Sequence, residues 1–251
     1  MPIKVAIAMP LYNEEDGIED TLLELDHALH QVGAQCSYFI QNDCSTDGSL
    51  GALERLGKVL AGSILVETNP TNLRHGPTTL RAYRRATQSD CDVVIQLDSD
   101  GQFKSSEVAM MLERFASSHD VDLIIGARKS RTDPWYRQVV TRSLRLLLLF
   151  RFGIRSVDPN SPIRIARRED LTALLNYLPT NPVIPNIMLT VLFHKHKKIV
   201  RYAPTSHLAR RGNVQIGTMW SGDHSLRAIP KSLISLCVMA TRQLFRWRVH
   251  R

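Results

Sequence analysis

Apolar runs alternate with segments of helical periodicity along the first half of the chain. The runs show little alternation with polar residues, which is typical of strands covered on both faces of a sheet. Five strands are predicted, at 4–9, 38–41, 63–67, 93–97 and 122–127. Between the first three, apolar residues recur at helical spacing, at Ile18, Leu22, Leu25 and Leu29 and again at Leu50, Leu53, Leu56 and Leu60. Such strand–helix–strand repeats predict an α/β fold with a mostly parallel sheet between helices.

Polar and turn-forming residues follow each of the first four predicted strands. The stretches are PLYNEE at 10–15, NDCSTDGS at 42–49, NPTNLRHG at 69–76 and DSDGQ at 98–102. In a parallel sheet the carboxyl ends of the strands share one edge, and ligands bind beyond that edge. Any one stretch could serve only as a turn or a helix cap. Four of them in order predict a single ligand site.

Length and charge narrow the class of protein. The chain has 251 residues, 43% of them hydrophobic, so it can bury a core as one domain. Its net charge of +8 favours anionic partners, such as phosphorylated ligands, nucleic acid or an acidic bilayer. The four cysteines have no CxxC spacing, which fits a reducing compartment. Because no apolar run approaches the roughly 20 residues of a membrane span, we expect a cytoplasmic protein that is soluble or peripheral on the membrane.

The polar stretches, together with DPNSPIRIARREDL at 158–171, resemble glycosyltransferase family 2, the inverting enzymes of the GT-A fold. Within this family the sequence is most similar to dolichyl- and polyprenyl-phosphate sugar transferases. The resemblance covers most of the chain and is weakest after residue 175. It implies a Rossmann-like central sheet with helices on both faces, a UDP- or GDP-sugar donor, and transfer of the sugar to a lipid phosphate.

The resemblance also implies roles for residues at the sheet edge. Asp43 and the first polar stretch would hold the nucleoside. The residues of that stretch expected to contact it are Pro10, Tyr12, Asn13 and Glu14. Asp98 and Asp100 would reach the ribose, the diphosphate and a divalent metal, and Gln102 would join the metal ligands.

Basic residues form the second group of candidates. Arg164 matches the family's phosphate-contacting arginine, and a guanidinium suits phosphate because it can donate two parallel hydrogen bonds. We therefore place Arg164 with Asp98 and Asp100 among the catalytic candidates. The further candidates for substrate binding are His75, Gly76, Arg210 and Arg211. The first two follow the third strand, and the arginines lie in ARRGNV at 209–214, which approximates a later arginine pattern of the family.

Three positions depart from the family pattern. Asn42 stands where the family usually has Asp, Cys44 where it has Gly, and Pro162 where a second Gly is usual. All three fall in loops of the expected site. The sequence therefore leaves open an inactive homologue that binds a nucleotide sugar without turnover.

Carboxylate and amide oxygens in the stretch 98–102 suit a hard divalent cation. A nucleoside diphosphate leaves readily only when its growing negative charge is neutralised, and Mg²⁺ or Mn²⁺ can do this. The same stretch has no His or Cys that would favour zinc. We expect a reaction that depends on Mg²⁺ or Mn²⁺.

The second half of the chain is rich in arginine and offers few side chains suited to act as a base. A lipid phosphate is already an anionic nucleophile and needs only positioning and charge balance. Asp158 is the most base-like residue there, but it belongs to a family motif that is usually structural. We expect one glycosyltransferase domain over 1–251, with a nucleotide-sugar-binding half at 1–130 and an acceptor-side half at 131–251.

Two basic amphipathic segments occur in this second half, at 135–152 and at 226–247. Such helices can lie in a bilayer interface, and they can equally pack on the core with a solvated basic face. Nucleic-acid binding lacks a recognisable module and is not expected. A saccharide or other soluble acceptor stays open. A nucleotidyltransferase would need a glycine-rich and basic loop after the first strand, where this chain has YNEED.

Overall fold

The computed structural model describes residues 2–60, 62–118, 120–128, 135–211 and 231–247. The strands in these ranges are β1 (Ile3–Leu11), β2 (Ala34–Asn42), β3 (Ser63–Thr68), β4 (Val93–Gln96), β5 (Leu123–Arg128), β6 (Arg164–Arg167) and β7 (Val200–Thr205). The helices are α1 (Ile18–Gln31), α2 (Ser49–Leu56), α3 (His75–Thr87), α4 (Ser105–Ala116), α5 (Trp135–Phe152), α6 (Arg168–Leu175), α7 (Pro185–Lys195) and α8 (Lys231–Arg246). All five predicted strands are therefore present.

The strands form one sheet in the order β3-β2-β1-β4-β6-β5-β7. Strands β1 to β4 pair in parallel, and β5 pairs in parallel with β7. Strand β6 is antiparallel to both of its neighbours, β4 and β5. The predicted mostly parallel sheet is confirmed, and β6 is its one antiparallel member among the described strands.

Helices cover both faces of the sheet, as expected. On β1, Val5 and Ile7 point into a core shared with α1, α2 and α4. Ala6 and Ala8 alternate to the other face and contact a core that includes residues of α3, α6 and α7. Because side chains of a strand alternate in direction, a run of apolar residues such as IKVAIAM can contribute to two cores at once.

Strand β3 departs from the prediction of a strand covered on both faces. Five of its six residues are exposed. It is the edge strand of the sheet, and no other strand of the described residues pairs with its outer side. Helix α2 also ends at Leu56, so Leu60 of the predicted apolar stripe lies beyond it and packs only partly against the core.

Helix α7 is buried around its whole circumference from Pro185 to Phe193. A helix that is apolar on all sides belongs in a protein interior rather than at its surface. Its two buried polar residues, Asn186 and Thr190, lie four positions apart and therefore on one side of the helix. Their partners lie beneath the candidate site.

Gly76, predicted as a substrate contact, lies in the first turn of α3 against the backbone of residues 182–183. An added Cβ atom would overlap the carbonyl oxygen of Pro182 and lie 2.7 Å from that of Val183. Neither oxygen can move without displacing backbone. The glycine thus permits the close packing of α3 on the segment that leads into α7.

We predict that Gly76→Ala lowers the free energy of unfolding by about 1–3 kcal/mol, because overpacking forces the backbone apart. Urea unfolding followed by circular dichroism measures this. Gly51→Ala in α2 is the matched control, since the nearest atom to its added Cβ is the flexible Arg55 Nη1 at 3.6 Å. Equal stability changes in the two variants would contradict the packing argument.

Candidate functional site

The polar stretches meet at one edge of the sheet. Parallel pairing sets Leu11 beside Asn42, and Asn42 beside Thr68, at the carboxyl ends of β1, β2 and β3. Strand β6 runs in the opposite direction, so its first residue, Arg164, pairs with Gln96 at the end of β4. The loop before β6 therefore reaches the same edge as the stretch 98–102.

A cleft opens at this edge. It is lined by Asp98, Asp100, Gln102, Phe103, Arg128, Pro162, Ile163, Ser206 and His207. The three predicted metal-binding residues are thus brought together. His75 lies beside Asp98, with its Nε2 atom 3.8 Å from Asp98 Oδ1. Among the described residues, no cluster of three or more His, Cys, Asp or Glu side chains has the arrangement of a metal site.

The carboxylates of the site carry an electrostatic cost. Burial, reinforced by repulsion from Asp98, raises the pKa of Asp100 to about 6. Burial likewise raises the pKa of Glu14 to about 7, although the attraction of Arg210 opposes the shift. For both carboxylates, the solvation lost on burial outweighs the favourable interactions with neighbouring groups. The site therefore favours the binding of a positive charge.

The segment 206–211, which follows β7, closes one side of the cleft. Leu208 exchanges two hydrogen bonds with Gln102, its amide donating to the Gln102 carbonyl and its own carbonyl accepting from Nε2, each at 3.2 Å. The amide of Arg211 donates to the carbonyl of Asp100 at 3.2 Å. Ser206 is held by two hydrogen bonds to the Glu107 carboxylate, both 2.7 Å. Hydrogen bonds thus connect the segment 206–211 to the stretch 98–102.

The two predicted arginines of this segment point in different directions. Arg210 forms an ion pair with Glu14 at the cleft. Arg211 pairs with Glu24, an exposed residue of α1. Its side chain passes over Gly101, where an added Cβ would lie 2.7 Å from Arg211 Cδ and where φ is +67°. The structure therefore brings Arg210, but not the Arg211 guanidinium, to the predicted site.

The loop after β1 is tied to the loop after β2. The amide of Asn13 donates to Ser45 Oγ at 3.0 Å, and the amide of Glu14 donates to Ser49 Oγ at 2.8 Å. The carboxamide oxygen of Asn13 accepts from the Thr46 amide at 2.9 Å. Pro10 is buried at the end of β1, and Tyr12 is half-exposed beside Asn13. The loops after β1 and β2 therefore form one rim, joined by the hydrogen bonds of Asn13 and Glu14.

Asp43 is buried at the end of β2, where it organises the loop after β3. Its Oδ1 atom accepts hydrogen bonds from Asn69 Nδ2 at 2.8 Å and from the Leu73 amide at 2.7 Å. The neighbouring Asn42 accepts from the Ser45 amide and hydroxyl and donates to Thr68 Oγ1 at 3.2 Å. A carboxamide can both accept and donate. The departure at position 42 is therefore accommodated by its partners.

Three residues that follow consecutive strands have left-handed backbones. They are Asn13 with φ +53°, Cys44 with φ +60° and Arg74 with φ +70°. The left-handed region costs a side-chain-bearing residue free energy, and such residues concentrate at functional sites. Glycine adopts this conformation at a lower cost in free energy, which explains why it suits position 44. This chain has Cys there, in the less favourable conformation.

Arg164, predicted to contact phosphate, lies behind the wall of the cleft. It is 2% exposed, and its guanidinium donates to the carbonyls of Pro159 and Ser161 at 2.7 and 3.0 Å and to Thr190 Oγ1 at 3.0 Å. It holds the loop that carries Pro162 to the cleft. In this structure the guanidinium does not enter the cleft, so a direct phosphate contact stays a prediction.

The arginine that does line the cleft is Arg128, which no sequence motif singles out. The residue ends β5, one position beyond the predicted strand, at the same edge of the sheet. Asp158 binds it through two hydrogen bonds of 2.8 and 3.0 Å. Asp158 is therefore a buried partner of Arg128, and its geometry does not favour action as a base.

Comparisons with known proteins identify the family and the fold. The model of "Glycosyl transferase family 2" matches residues 6–173, from β1 into α6. Undecaprenyl-phosphate 4-deoxy-4-formamido-L-arabinose transferase of Sodalis glossinidius is 24% identical over 182 residues, 72% of this chain and 54% of the relative. The Pseudomonas aeruginosa (strain LESB58) protein of that name is 26% identical over 199 residues, 79% and 57% of the two chains. The chain thus spans about half the length of these relatives.

Solved structures share the fold at low sequence identity. Glucosyl-3-phosphoglycerate synthase from Mycobacterium tuberculosis, in complex with Mn²⁺ and UDP-glucose, superposes with a TM-score of 0.63 at 17% identity, over 96% of this chain and 78% of that one. Its complex with Mg²⁺ and UDP gives 0.60 at 18% identity, over 84% and 72%. The architecture is the GT-A fold. The chain belongs to glycosyl transferase family 2.

Proposed function

We propose that this chain is a glycosyltransferase that moves a sugar, with inversion, from a UDP- or GDP-sugar to a polyprenyl phosphate at a membrane surface. One observation carries the proposal: Asp98, Asp100 and Gln102 line the same cleft as Arg128, whose guanidinium is held by Asp158. An acidic group suited to a cation and a basic group suited to phosphate are what a diphosphate leaving group requires. The named activity of the curated relatives on undecaprenyl phosphate supports the lipid acceptor.

The donor would bind across the rim formed by the first three strands. In this proposal the nucleoside lies against Asn13, Glu14 and Asp43, with Pro10 and Tyr12 beneath it. All of these residues come from the half at 1–130. The cleft residues Pro162, Ser206 and His207 come from the half at 131–251 and would face the acceptor. The division into donor and acceptor halves is supported by this arrangement.

The residues of the cleft fit a divalent cation. Two carboxylates are the number with which Mg²⁺ is commonly held when substrate phosphates complete its coordination. The side-chain nitrogen of Gln102 donates to the Leu208 carbonyl, so the side-chain oxygen points away from Leu208. A cation would also relieve the repulsion and desolvation that raise the pKa of Asp100. The Mn²⁺ and Mg²⁺ complexes of the structural neighbour agree with this class of metal.

In the reaction, a bound cation would supply charge neutralisation for the departing nucleoside diphosphate. Asp98 and Asp100 would hold it and orient the donor. Arg128, fixed by Asp158, would present its guanidinium to phosphate without a loss of side-chain freedom at the moment of binding. The acceptor phosphate is itself an anion, so the proposal needs no protein base.

Helices α5 and α8 support a membrane-facing role. Each carries exposed apolar side chains at helical spacing, Val139, Leu146 and Phe150 on α5 and Ile234, Val238 and Phe245 on α8. Exposed arginines stand among them, Arg142, Arg145 and Arg151 on the first and Arg242 and Arg246 on the second. Their other sides pack on the core through Leu148, Phe152 and Leu244. A basic, apolar surface of this kind suits an anionic bilayer.

Parts of the predicted C-terminal stripe lie outside the described residues. These are the positions before Lys231 and the terminal arginines Arg248 and Arg251. In the portion of the chain that the structure describes, no helix has the length and apolarity to cross a membrane.

We predict transfer activity that depends on metal and on Asp100. Purified protein is incubated with labelled UDP- and GDP-sugars and undecaprenyl phosphate, and organic-extractable product is counted. Excess chelator should abolish the product, and Mn²⁺ should restore it. Asp100→Asn should lower turnover about 100-fold or more, the scale of lost charge stabilisation.

Asp90→Asn is the control, because Asp90 is an exposed residue paired with Lys4 before β4, at the opposite edge of the sheet. It should retain activity. Product formation in the presence of chelator would refute the metal role. Transfer to a soluble acceptor without transfer to lipid would show that the acceptor is not a polyprenyl phosphate.

We predict that Asp100 makes the metal-free protein less stable as pH rises. The folded state holds the Asp100 proton more tightly than the unfolded chain, since its pKa is raised from 3.8 to about 6. Stability attributable to this group is therefore lost between about pH 4 and pH 6. Asp100→Asn lacks this loss, so its unfolding free energy should gain on that of wild type by on the order of 1–3 kcal/mol over this range.

Urea unfolding at pH 4.5 and pH 7.5 in chelator measures the difference. Added Mn²⁺ at the higher pH should stabilise wild type and leave Asp100→Asn unchanged. A constant difference between the two proteins across this range would show that Asp100 is not electrostatically strained.

We predict that the exposed apolar residues of α5 and α8 attach the protein to anionic vesicles. The pairs Leu146→Ser with Phe150→Ser, and Val238→Ser with Phe245→Ser, should each reduce the affinity for phosphatidylglycerol vesicles, measured by co-sedimentation, about 30-fold or more, since each of the two lost insertions is worth about 1 kcal/mol or more. Rising salt should weaken binding of wild type, because basic residues contribute about 1 kcal/mol each near an anionic surface.

The control pair is Leu65→Ser with Val66→Ser, two exposed apolar residues on the edge strand β3. This pair should sediment like wild type. If all three pairs behave alike, α5 and α8 are not the membrane-facing surface. If wild type does not bind vesicles at any salt concentration, a soluble acceptor is favoured.

A further inference from the structure

A line of buried side-chain hydrogen bonds runs from the protein interior to the carboxylate of Asp98. The hydroxyl of Tyr83 donates to Asn186 Oδ1 at 3.0 Å. Asn186 Nδ2 donates to Gln96 Oε1 at 2.9 Å, and Gln96 Nε2 donates to Asp98 Oδ1 at 3.1 Å. Tyr83, Asn186 and Gln96 are 2%, 4% and 0% exposed. Of these four residues, Asp98 alone belongs to the wall of the cleft.

The direction of every bond in this line is set by its carboxylate end. An ionised carboxylate can only accept, so Gln96 must turn its nitrogen to Asp98 and its oxygen to Asn186. Asn186 must then turn its nitrogen to Gln96 and its oxygen to the hydroxyl of Tyr83. Reversal of either amide would place two oxygens face to face in a buried site. The line therefore has one favourable arrangement, and that arrangement provides Asp98 with a fixed donor.

The helix that supplies Asn186 also supports the opposite wall of the cleft. Thr190, one turn later on α7, accepts from both terminal nitrogens of Arg164 at 3.0 Å. Gln96 and Arg164 are themselves paired residues of β4 and β6. One side of α7 thus holds the strand end that leads to Asp98 and the loop that leads to Pro162. This helix lies beyond residue 173, where the match to the family model ends.

We infer that Asn186 is a positioning residue, which acts through Gln96 to hold the Asp98 carboxylate in the orientation that the cation and the donor require. The inference rests on the proposed role of Asp98 in the cleft. Residues that orient a metal-binding carboxylate by hydrogen bonds typically change metal affinity 10- to 100-fold when they are removed. Asn186 does not touch the cleft, so its effect must pass through Gln96.

The test measures Mn²⁺ binding by the full chain, from the electron paramagnetic resonance signal of free Mn²⁺, with UDP in one arm and GDP in the other. Asn186→Leu should weaken Mn²⁺ binding about tenfold or more. Thr87→Val is the control, because it removes another buried hydroxyl, one that donates to the Arg84 carbonyl at 3.0 Å within α3. It should leave Mn²⁺ affinity unchanged, whatever its effect on stability.

A double-variant cycle tests whether Asn186 acts through Gln96. Gln96→Leu alone should weaken Mn²⁺ binding at least as much as Asn186→Leu. Adding Asn186→Leu to Gln96→Leu should have no further effect. Full additivity of the two changes, or an unchanged affinity in Asn186→Leu, would overturn the inference. If Asn186→Leu does not fold, Tyr83→Phe, which removes only the last hydroxyl, should still weaken binding severalfold.

A second measurement separates this inference from the proposed function. In the metal-free ¹⁵N-labelled protein, the side-chain amide signal of Gln96 is identified by its loss in Gln96→Leu. It should shift in Asn186→Leu and in Asp98→Asn and stay in place in Thr87→Val. Absence of Mn²⁺ binding by wild type with either nucleotide would refute the proposed metal, whereas an unmoved Gln96 signal in Asn186→Leu would refute the positioning role by itself.

Discussion

The antiparallel placement of β6 between β4 and β5 is the constraint on which the site depends. If β6 ran parallel to its neighbours, its first residue and the loop before it would lie at the opposite edge of the sheet. Because it runs antiparallel, Arg164 stands beside Gln96, and the loop at 158–163 reaches the edge that already carries the four polar stretches. The same arrangement sets the carboxyl end of β5, and with it Arg128, against Asp158. One reversed strand of four residues thus joins the acidic and the basic walls of the cleft.

The energetics of this edge differ from those of the core. Asp100 and Glu14 are desolvated carboxyl groups whose pKa values are raised to about 6 and about 7 by burial. Asn13, Cys44 and Arg74, in the loops after β1, β2 and β3, adopt left-handed backbones. Each feature lowers the stability of the folded protein, and the packing of the surrounding sheet and its two cores offsets this loss. Such a concentration of cost at one edge is expected where a protein keeps a site ready for a charged ligand.

The departures from the family pattern have local physical explanations. Asn42 uses both its oxygen and its nitrogen, which an ionised Asp could not do. Cys44 bears the left-handed conformation that Gly would adopt at lower cost. Pro162 follows a loop whose carbonyls are held by the buried guanidinium of Arg164. The altered loops are therefore organised structures, and they retain the cleft.

The sequence by itself determined the layered fold, the presence of strands β1 to β4 and their shared edge, because apolar runs and helical periodicity are local signals. It also brought Asp98, Asp100, Gln102 and Asp43 to that edge, since the carboxyl ends of parallel strands coincide. Only the tertiary structure decided which arginine faces the cleft. Arg128 and Arg164 are both arginines at strand ends, and their roles differ because β6 reverses direction and buries Arg164 against Thr190. Likewise, Asn186 is a polar residue in a largely apolar helix. Its link to Asp98 depends on a contact with a residue about 90 positions away in the chain, which no local pattern encodes.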